Sequence, residues 1–252
     1  MREKIDHSPT TKVSPICLPC RMLGIRQRLI IFGVQVIFLD ADTKRSYTFA
    51  QVRDTALAFA HWIQSTWDWR KGDVLAVFSP NSIDIPAIMY GVAWTGGVVS
   101  PANPTYTVEE LTFQLKNAGA KALVTQVPLL PVARAAAKRA GVTAERIIVM
   151  GDLRDPEKRV KHFSSIKSSY ETARLREEKV DPKRDVAYLV YSSGTTGLPK
   201  GVMLSHRNII CNVLQTRAHE RGRFTWNGGK DGQGDKVLAF LPFFHVYGKC
   251  LG

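Results

Sequence analysis

Between Tyr191 and Val202 the chain reads Tyr-Ser-Ser-Gly-Thr-Thr-Gly-Leu-Pro-Lys-Gly-Val, so the ten residues from Ser192 to Gly201 hold four hydroxyls, three glycines and a lysine. Glycine lets backbone N–H groups turn toward a ligand and approach it closely. Successive N–H groups in such a turn make a concavity that binds anions. Ser and Thr hydroxyls add short donors, and Lys200 adds a compact positive charge. Together these groups suit nucleotide phosphates. A Walker A loop is excluded, because it needs Gly, four residues and then Gly-Lys-Ser/Thr, whereas Pro199 precedes Lys200 and Gly201 comes after it. Gly194, Gly197 and Gly201 also miss the G-x-G-x-x-G spacing of dinucleotide-binding folds. The bland alternative, a surface turn between a strand and a helix, accounts poorly for so many donors directly after an apolar strand.

The elements that must position this segment are legible upstream. Val74–Phe78 is a continuous apolar run, as in a strand buried on both faces. Further strands are expected at 96–100, 120–125, 146–150 and 185–191, and a last one from Lys236 to Leu241. Thr48 with Gln51, and Thr107 with Glu110, have capping-box spacing and open helices. The first helix places Val52, Ala56, Phe59, Ala60, Ile63 and Trp67 on one face. Helices also fit 82–94 and 130–140, the latter closed by Gly141. Strands alternating with helices predict an α/β fold, mostly parallel sheets flanked by helices. Residues 151–184 read as surface loop with a short helix, and the apolar run Leu29–Leu39 as a buried strand, too short to span a bilayer.

Composition sets limits. At 252 residues and 44% hydrophobic content the chain can build a sizeable core. The net charge of +13 raises the question of nucleic acid. The basic residues are interleaved with acids, as in Arg154, Asp155, Glu157, Lys158 and Arg159, which reads as solvated surface, so no nucleic-acid partner is expected. Cys17 and Cys20 form a lone C-x-x-C without the second ligand pair a zinc site requires, so no metal site is expected. The Asp- and Gly-rich stretch 226–235 lacks EF-hand spacing. Cys211 reads as core, and His206 as a helix-start residue.

Segment 191–202 resembles the phosphate-binding signature of the adenylate-forming superfamily, which includes acyl- and aryl-CoA ligases, beetle luciferases and the adenylation domains of peptide synthetases. Met203-Leu204-Ser205-His206-Arg207-Asn208 is similar to the family's residues immediately after that signature, and Leu241-Pro242-Phe243-Phe244-His245-Val246-Tyr247-Gly248 resembles the next core motif. Tyr47-Thr48-Phe49, the Asn81-Ser82 turn and Pro101–Tyr106 with Glu110-Leu111 also resemble the family. The likeness runs from residue 36 to residue 252 and is to the 4-coumarate–CoA ligase-like branch of acyl-CoA ligases.

The resemblance implies the amino-terminal part of an acyl-CoA synthetase-like fold. It implies a two-step reaction in which a small-molecule carboxylic acid is activated by ATP, with Mg2+, to an acyl-adenylate and then passed to coenzyme A. Ser192, Ser193, Gly194, Thr195, Thr196, Gly197 and Lys200 would hold the ATP phosphates, and His245 and Tyr247 would flank the acyl-adenylate. The family's adenine motif, ribose-binding acid and catalytic lysine have no counterpart in 36–252. That span is expected to stop before the acyl pocket is complete and to lack the carboxy-terminal domain, with 1–35 an atypical leader. A carrier-protein-loading module and a catalytically inactive ATP-binding fragment are the alternatives. The expected setting is intracellular, cytoplasmic or peroxisomal, without membrane insertion; the chain ends Lys-Cys-Leu-Gly rather than Ser-Lys-Leu.

Overall fold

The computed structural model describes residues 35–166, 178–192, 199–220 and 235–245. The leader up to residue 34 and the stretch 221–234 lie outside them. Strands β1 (Val36–Leu39) and β2 (Ser46–Thr48) form an antiparallel ribbon in which Leu39 pairs with Ser46. The sequence predicts a buried strand here; instead Val36 is 51% and Leu39 61% exposed. A two-stranded antiparallel ribbon covers one face only, and of this strand Phe38 is the side chain packed on the core.

Helix α1 (Phe49–Trp67) begins with the predicted capping box. The Thr48 hydroxyl accepts from the Gln51 N–H, and the Gln51 side chain accepts from the Thr48 N–H. Its predicted face is buried throughout. Then come β3 (Val74–Phe78), α2 (Ile85–Trp94), β4 (Val98–Ala102), α3 (Val108–Ala118), β5 (Ala120–Gln126), α4 (Leu130–Ala140), β6 (Ile147–Met150) and β7 (Lys161–His162). The chain continues through β8 (Val186–Ser192), β9 (Lys200–Ser205) and α5 (His206–Glu220).

Strands β3 to β9 form one seven-stranded sheet in the order β7-β6-β5-β3-β4-β8-β9. All pairings are parallel except β8 with β9. Side-chain alternation splits the core into two layers. Leu75, Val77, Val124 and Ile148 face α1 and α2, whereas Ala76, Phe78, Leu123 and Val149 face α3 and α4. Gly91 allows α1 and α2 to meet closely, since a Cβ there would lie 2.8 Å from the Ala56 carbonyl oxygen and 2.9 Å from the Phe59 ring.

Two further expectations change. Segment 151–166 is not simple surface loop: it adds β7 to the sheet edge and buries Val160, Phe163 and Ile166. Residues 235–245 contain no strand. Pro242 cannot donate to a ladder, and the backbone there is held by the Asn81 side chain instead.

Candidate active site

In an open parallel sheet, ligands bind beyond the carboxyl ends of the strands. Here β3, β4 and β8 end on the same edge. Leu75 pairs with Val99 and Val99 with Tyr188; continued four residues along, that register brings Ser192 level with Ser79. The ends of β3 and β8 are two strand spacings apart, about 10 Å. The β4–β8 ladder has the single registered pair Val99–Tyr188, and Pro101, two residues on, has no N–H with which to extend it. Buried Gln114 of α3 donates instead to the Pro101 carbonyl (3.0 Å) and the Ser100 hydroxyl (3.0 Å).

Strands β8 and β9 form a hairpin in which Ser192 and Lys200 are directly paired. The phosphate-type segment follows the apolar strand β8, as expected, and joins it to a second, antiparallel strand, with both ends at the carboxyl edge. Of the residues expected to hold phosphate, Ser192 and Lys200 are described, and both are exposed. Ser193, Gly194, Thr195, Thr196, Gly197 and Tyr247 lie outside the described residues.

The hairpin is anchored beside that segment. Tyr191 pairs with Gly201, and its hydroxyl donates to the Asn117 side-chain oxygen at the end of α3 (2.6 Å). A Cβ on Gly201 would sit 3.1 Å from the Tyr191 ring, so glycine lets the ring lie across the strand. Burial, and then the neighbouring Tyr106, push the Tyr191 hydroxyl's pKa upward, keeping it a donor. Where β9 meets α5, the Ser205 hydroxyl accepts from the Asn208 N–H while the Asn208 side chain accepts from the Ser205 N–H. That reciprocal cap explains the Ser-His-Arg-Asn motif structurally. His206 begins the helix, buried, with its N–H on the Asp185 carbonyl (3.3 Å). Cys211, expected in the core, is exposed on α5.

The His245 segment reaches the same edge through Asn81. Asn81 donates to the carbonyls of Ala239 (3.1 Å) and Leu241 (2.8 Å) and accepts from the Phe243 N–H (2.7 Å). His245 is exposed, its N–H bonded to the Pro242 carbonyl (3.1 Å). The sequence drew attention to the Asn81-Ser82 turn without revealing this reach, for which hydrogen bonds across some 160 residues leave no local signal.

The turn carrying Asn81 rests on a polar hub. Buried Asp84 accepts from Arg45 (2.6 Å), the Tyr47 hydroxyl (2.8 Å) and the Gly151 N–H (3.2 Å). Burial works against the Arg45 charge, but the Asp84 hydrogen bond and charge prevail and hold it protonated. Burial, and after it Asp84, push the Tyr47 pKa up. Arg45, Asp84, Arg154, His162 and Ser164 line a cavity of about 220 Å³. Within it Arg154 donates to the Ser164 hydroxyl and Arg45 to Asp84, so these groups largely satisfy one another. Among the described residues no cluster of three or more His, Cys, Asp or Glu could hold a metal ion, and no helix is long and apolar enough to cross a membrane.

Known proteins share this architecture. The profile of the AMP-binding enzyme family matches residues 32–252. The chain belongs to the AMP-binding enzyme family. Among curated AMP-binding relatives, it is 33% identical to a long-chain-fatty-acid–CoA ligase of Bacillus subtilis, over 81% of this chain and 39% of that protein. It is 31% identical to a 4-coumarate–CoA ligase of Pinus taeda, over 88% of this chain and 38% of that one. A solved long-chain-fatty-acid–CoA ligase from Archaeoglobus fulgidus superposes with a TM-score of 0.72 at 28% identity, covering 96% of this chain and 46% of that chain. The α/β fold is thus that of acyl-CoA ligase AMP-binding domains. The chain spans about two fifths of the length of the curated relatives it matches.

Proposed function

We propose that this chain carries the phosphate-holding part, and the start of the acid-binding part, of an ATP-dependent acid–thiol ligase. The observation that carries this reading is the hairpin that sets Ser192 opposite Lys200 at the carboxyl edge of the parallel sheet in a member of the AMP-binding family. Ser192, Ser193, Gly194, Thr195, Thr196, Gly197 and Lys200 hold the β- and γ-phosphates of MgATP, and His245 and Tyr247 flank the acyl group. A carboxylate oxygen of the substrate attacks the α-phosphorus, the bond to the β-phosphate oxygen breaks, and magnesium pyrophosphate leaves. The thiol of coenzyme A then attacks the acyl carbon, loses its proton and expels AMP. The protein's part in the first step is positioning and charge stabilisation. Residues 36–252 act as the amino-terminal part of the adenylate-forming domain. The setting is cytoplasmic or peroxisomal, as for an Arabidopsis relative named peroxisomal.

The test is carboxylic-acid-dependent ATP–pyrophosphate exchange by the purified chain, with MgATP binding measured alongside. Exchange that requires an aromatic or fatty acid supports adenylation. MgATP binding without exchange supports the inactive ATP-binding alternative, and transfer to a carrier protein but not to coenzyme A supports the loading module. Lys200→Ala removes a charged hydrogen-bond donor, which contributes about 1.5–3 kcal/mol. MgATP binding should therefore weaken about 10- to 100-fold; unchanged binding would remove Lys200 from the phosphate site.

A further inference from the structure

We propose that Asn81 is a positioning residue for the acid side of this site, holding the segment that bears His245 against the carboxyl edge of the sheet. The inference rests on the adenylation reading for its functional half only.

Residues 239–243 belong to no helix or strand, so their backbone groups lack ladder partners. Asn81 supplies them. Its amide nitrogen donates to two carbonyls, of Ala239 and Leu241, and its amide oxygen accepts the Phe243 N–H. Both functions of one amide are thus used by a segment about 160 positions away in sequence. Phe243, partly buried, adds an apolar hold by packing on the core layer of α1, α2 and β3. The next turn, closed by the His245 N–H on the Pro242 carbonyl, then sets where His245 leaves the backbone.

Asn81 is itself well placed to serve as an anchor. It stands three residues after β3, the middle strand of the sheet. Three residues further on is Asp84, fixed by Arg45, Tyr47 and Gly151. The clamp therefore ties a segment without regular structure to a turn whose Asp84 carboxylate is fixed by three hydrogen bonds. Among the described residues the Asn81 side chain bonds to Ala239, Leu241 and Phe243 and not to Ser192 or Lys200, so its influence should fall on the acid and not on ATP.

The experiment compares the whole chain with Asn81→Ala and Asn81→Asp. Amide hydrogen exchange is followed across 239–245, and pyrophosphate exchange is titrated separately in MgATP and in a carboxylic acid, a cinnamic-type aryl acid and a medium-chain fatty acid being the probes. Asp keeps an oxygen that can accept the Phe243 N–H but faces the Ala239 and Leu241 carbonyls with a second oxygen, so a clamp predicts that it too weakens the hold, through the carbonyl side. The expected result is exchange at the Phe243 amide faster by about tenfold in Asn81→Ala and by a smaller factor in Asn81→Asp. The KM for the acid should rise about tenfold, the KM for MgATP should stay within about twofold, and thermal stability should be near that of the parent, as for an exposed side chain. Unchanged amide exchange overturns the proposal. So does a parallel rise in both KM values, or an Asp variant that behaves like the parent. If the parent shows no pyrophosphate exchange with any acid, the adenylation reading fails for this chain, and the amide-exchange comparison alone upholds or overturns the clamp.

Discussion

The two sides of β4 are built differently. Toward β5 and β6 the sheet is closed: Leu123, Val124, Ile148 and Val149 are fully buried between helices on both faces. Toward β8 and β9 it is open: Val202 is 47% and Met203 70% exposed, and Val213 and Leu214 of α5 are also exposed. Apolar packing defines the first half. The second is attached by a smaller apolar patch, in which Val186, Leu189 and Tyr191 pack on Val74, Val98 and Ala118 and Phe243 packs on the main core, and by polar ties: Lys71 to Asp185 (2.6 Å), Tyr191 to Asn117 (2.6 Å), and Asn81 to the His245 segment. Ser192, Lys200 and His245, the described residues among those proposed for chemistry, lie in this second half. A dense core supplies stability, while side chains proposed to meet a ligand, such as Ser192 and Lys200, are exposed and do not contribute to a core.

Core truncation should separate the halves most sharply. Phe59 is fully buried and meets Phe163 edge-on at 5.5 Å, so Phe59→Ala should cost about 4 kcal/mol in denaturant unfolding. Met203→Ala, on the open half, should change stability by less than about 0.5 kcal/mol. Equal losses at both positions would erase the distinction. Next in size is Gly91→Ala, which drives a methyl group into the Ala56 carbonyl and the Phe59 ring and should cost about 2 kcal/mol by overpacking. Tyr191→Phe removes one hydrogen bond to Asn117. It should cost about 1 kcal/mol, read as faster amide exchange in β8 and β9 with little change in β5 and β6.

The same division governs how much of the molecule is legible in its sequence. In the closed half the run Val74–Phe78, the capping boxes at Thr48 and Thr107 and the glycine stop at Gly141 specify their elements locally, and the structure places them as expected. Periodicity works there because burial on two faces imposes it. In the open half the pattern misleads. Leu238 and Phe240 look like strand residues but are 75% and 73% exposed, since no ladder neighbour takes them up among the described residues. Cys211 sits in an apolar run yet faces outward. For the site, Ser192 and Lys200 stand out by composition, whereas Asn81 and Asp84 act through tertiary contacts that residue type alone does not announce.

The smallest expected effect uses one histidine from each half. In both, burial is the leading cause of a pKa lowered from the usual 6.5. His162, beside β6, accepts the Ser164 N–H at Nδ1 (3.1 Å), and its Nε2 lies 3.1 Å from the Gly151 carbonyl, an arrangement that needs the neutral ring. His206, at the start of α5, has a buried Nε2 without a hydrogen-bond partner among the described residues; Asp185 partly offsets its burial and Lys71 adds to it. A base whose folded pKa is depressed takes up its proton more readily when unfolded. Stability is therefore fully present above about 6.5 and declines as pH falls toward the folded pKa. Thermal unfolding tracked downward from neutral pH should show that decline, and His162→Gln and His206→Gln should each flatten part of it. The halves should differ in where the loss appears. Protonating His162 strains the packed core and lowers the cooperative transition, whereas protonating His206 loosens α5 and β9 first, visible as amide exchange there before the main transition moves. Simultaneous loosening of β5, β6 and α5 would mean that the two halves unfold as one unit and that the polar ties couple them as firmly as the core does.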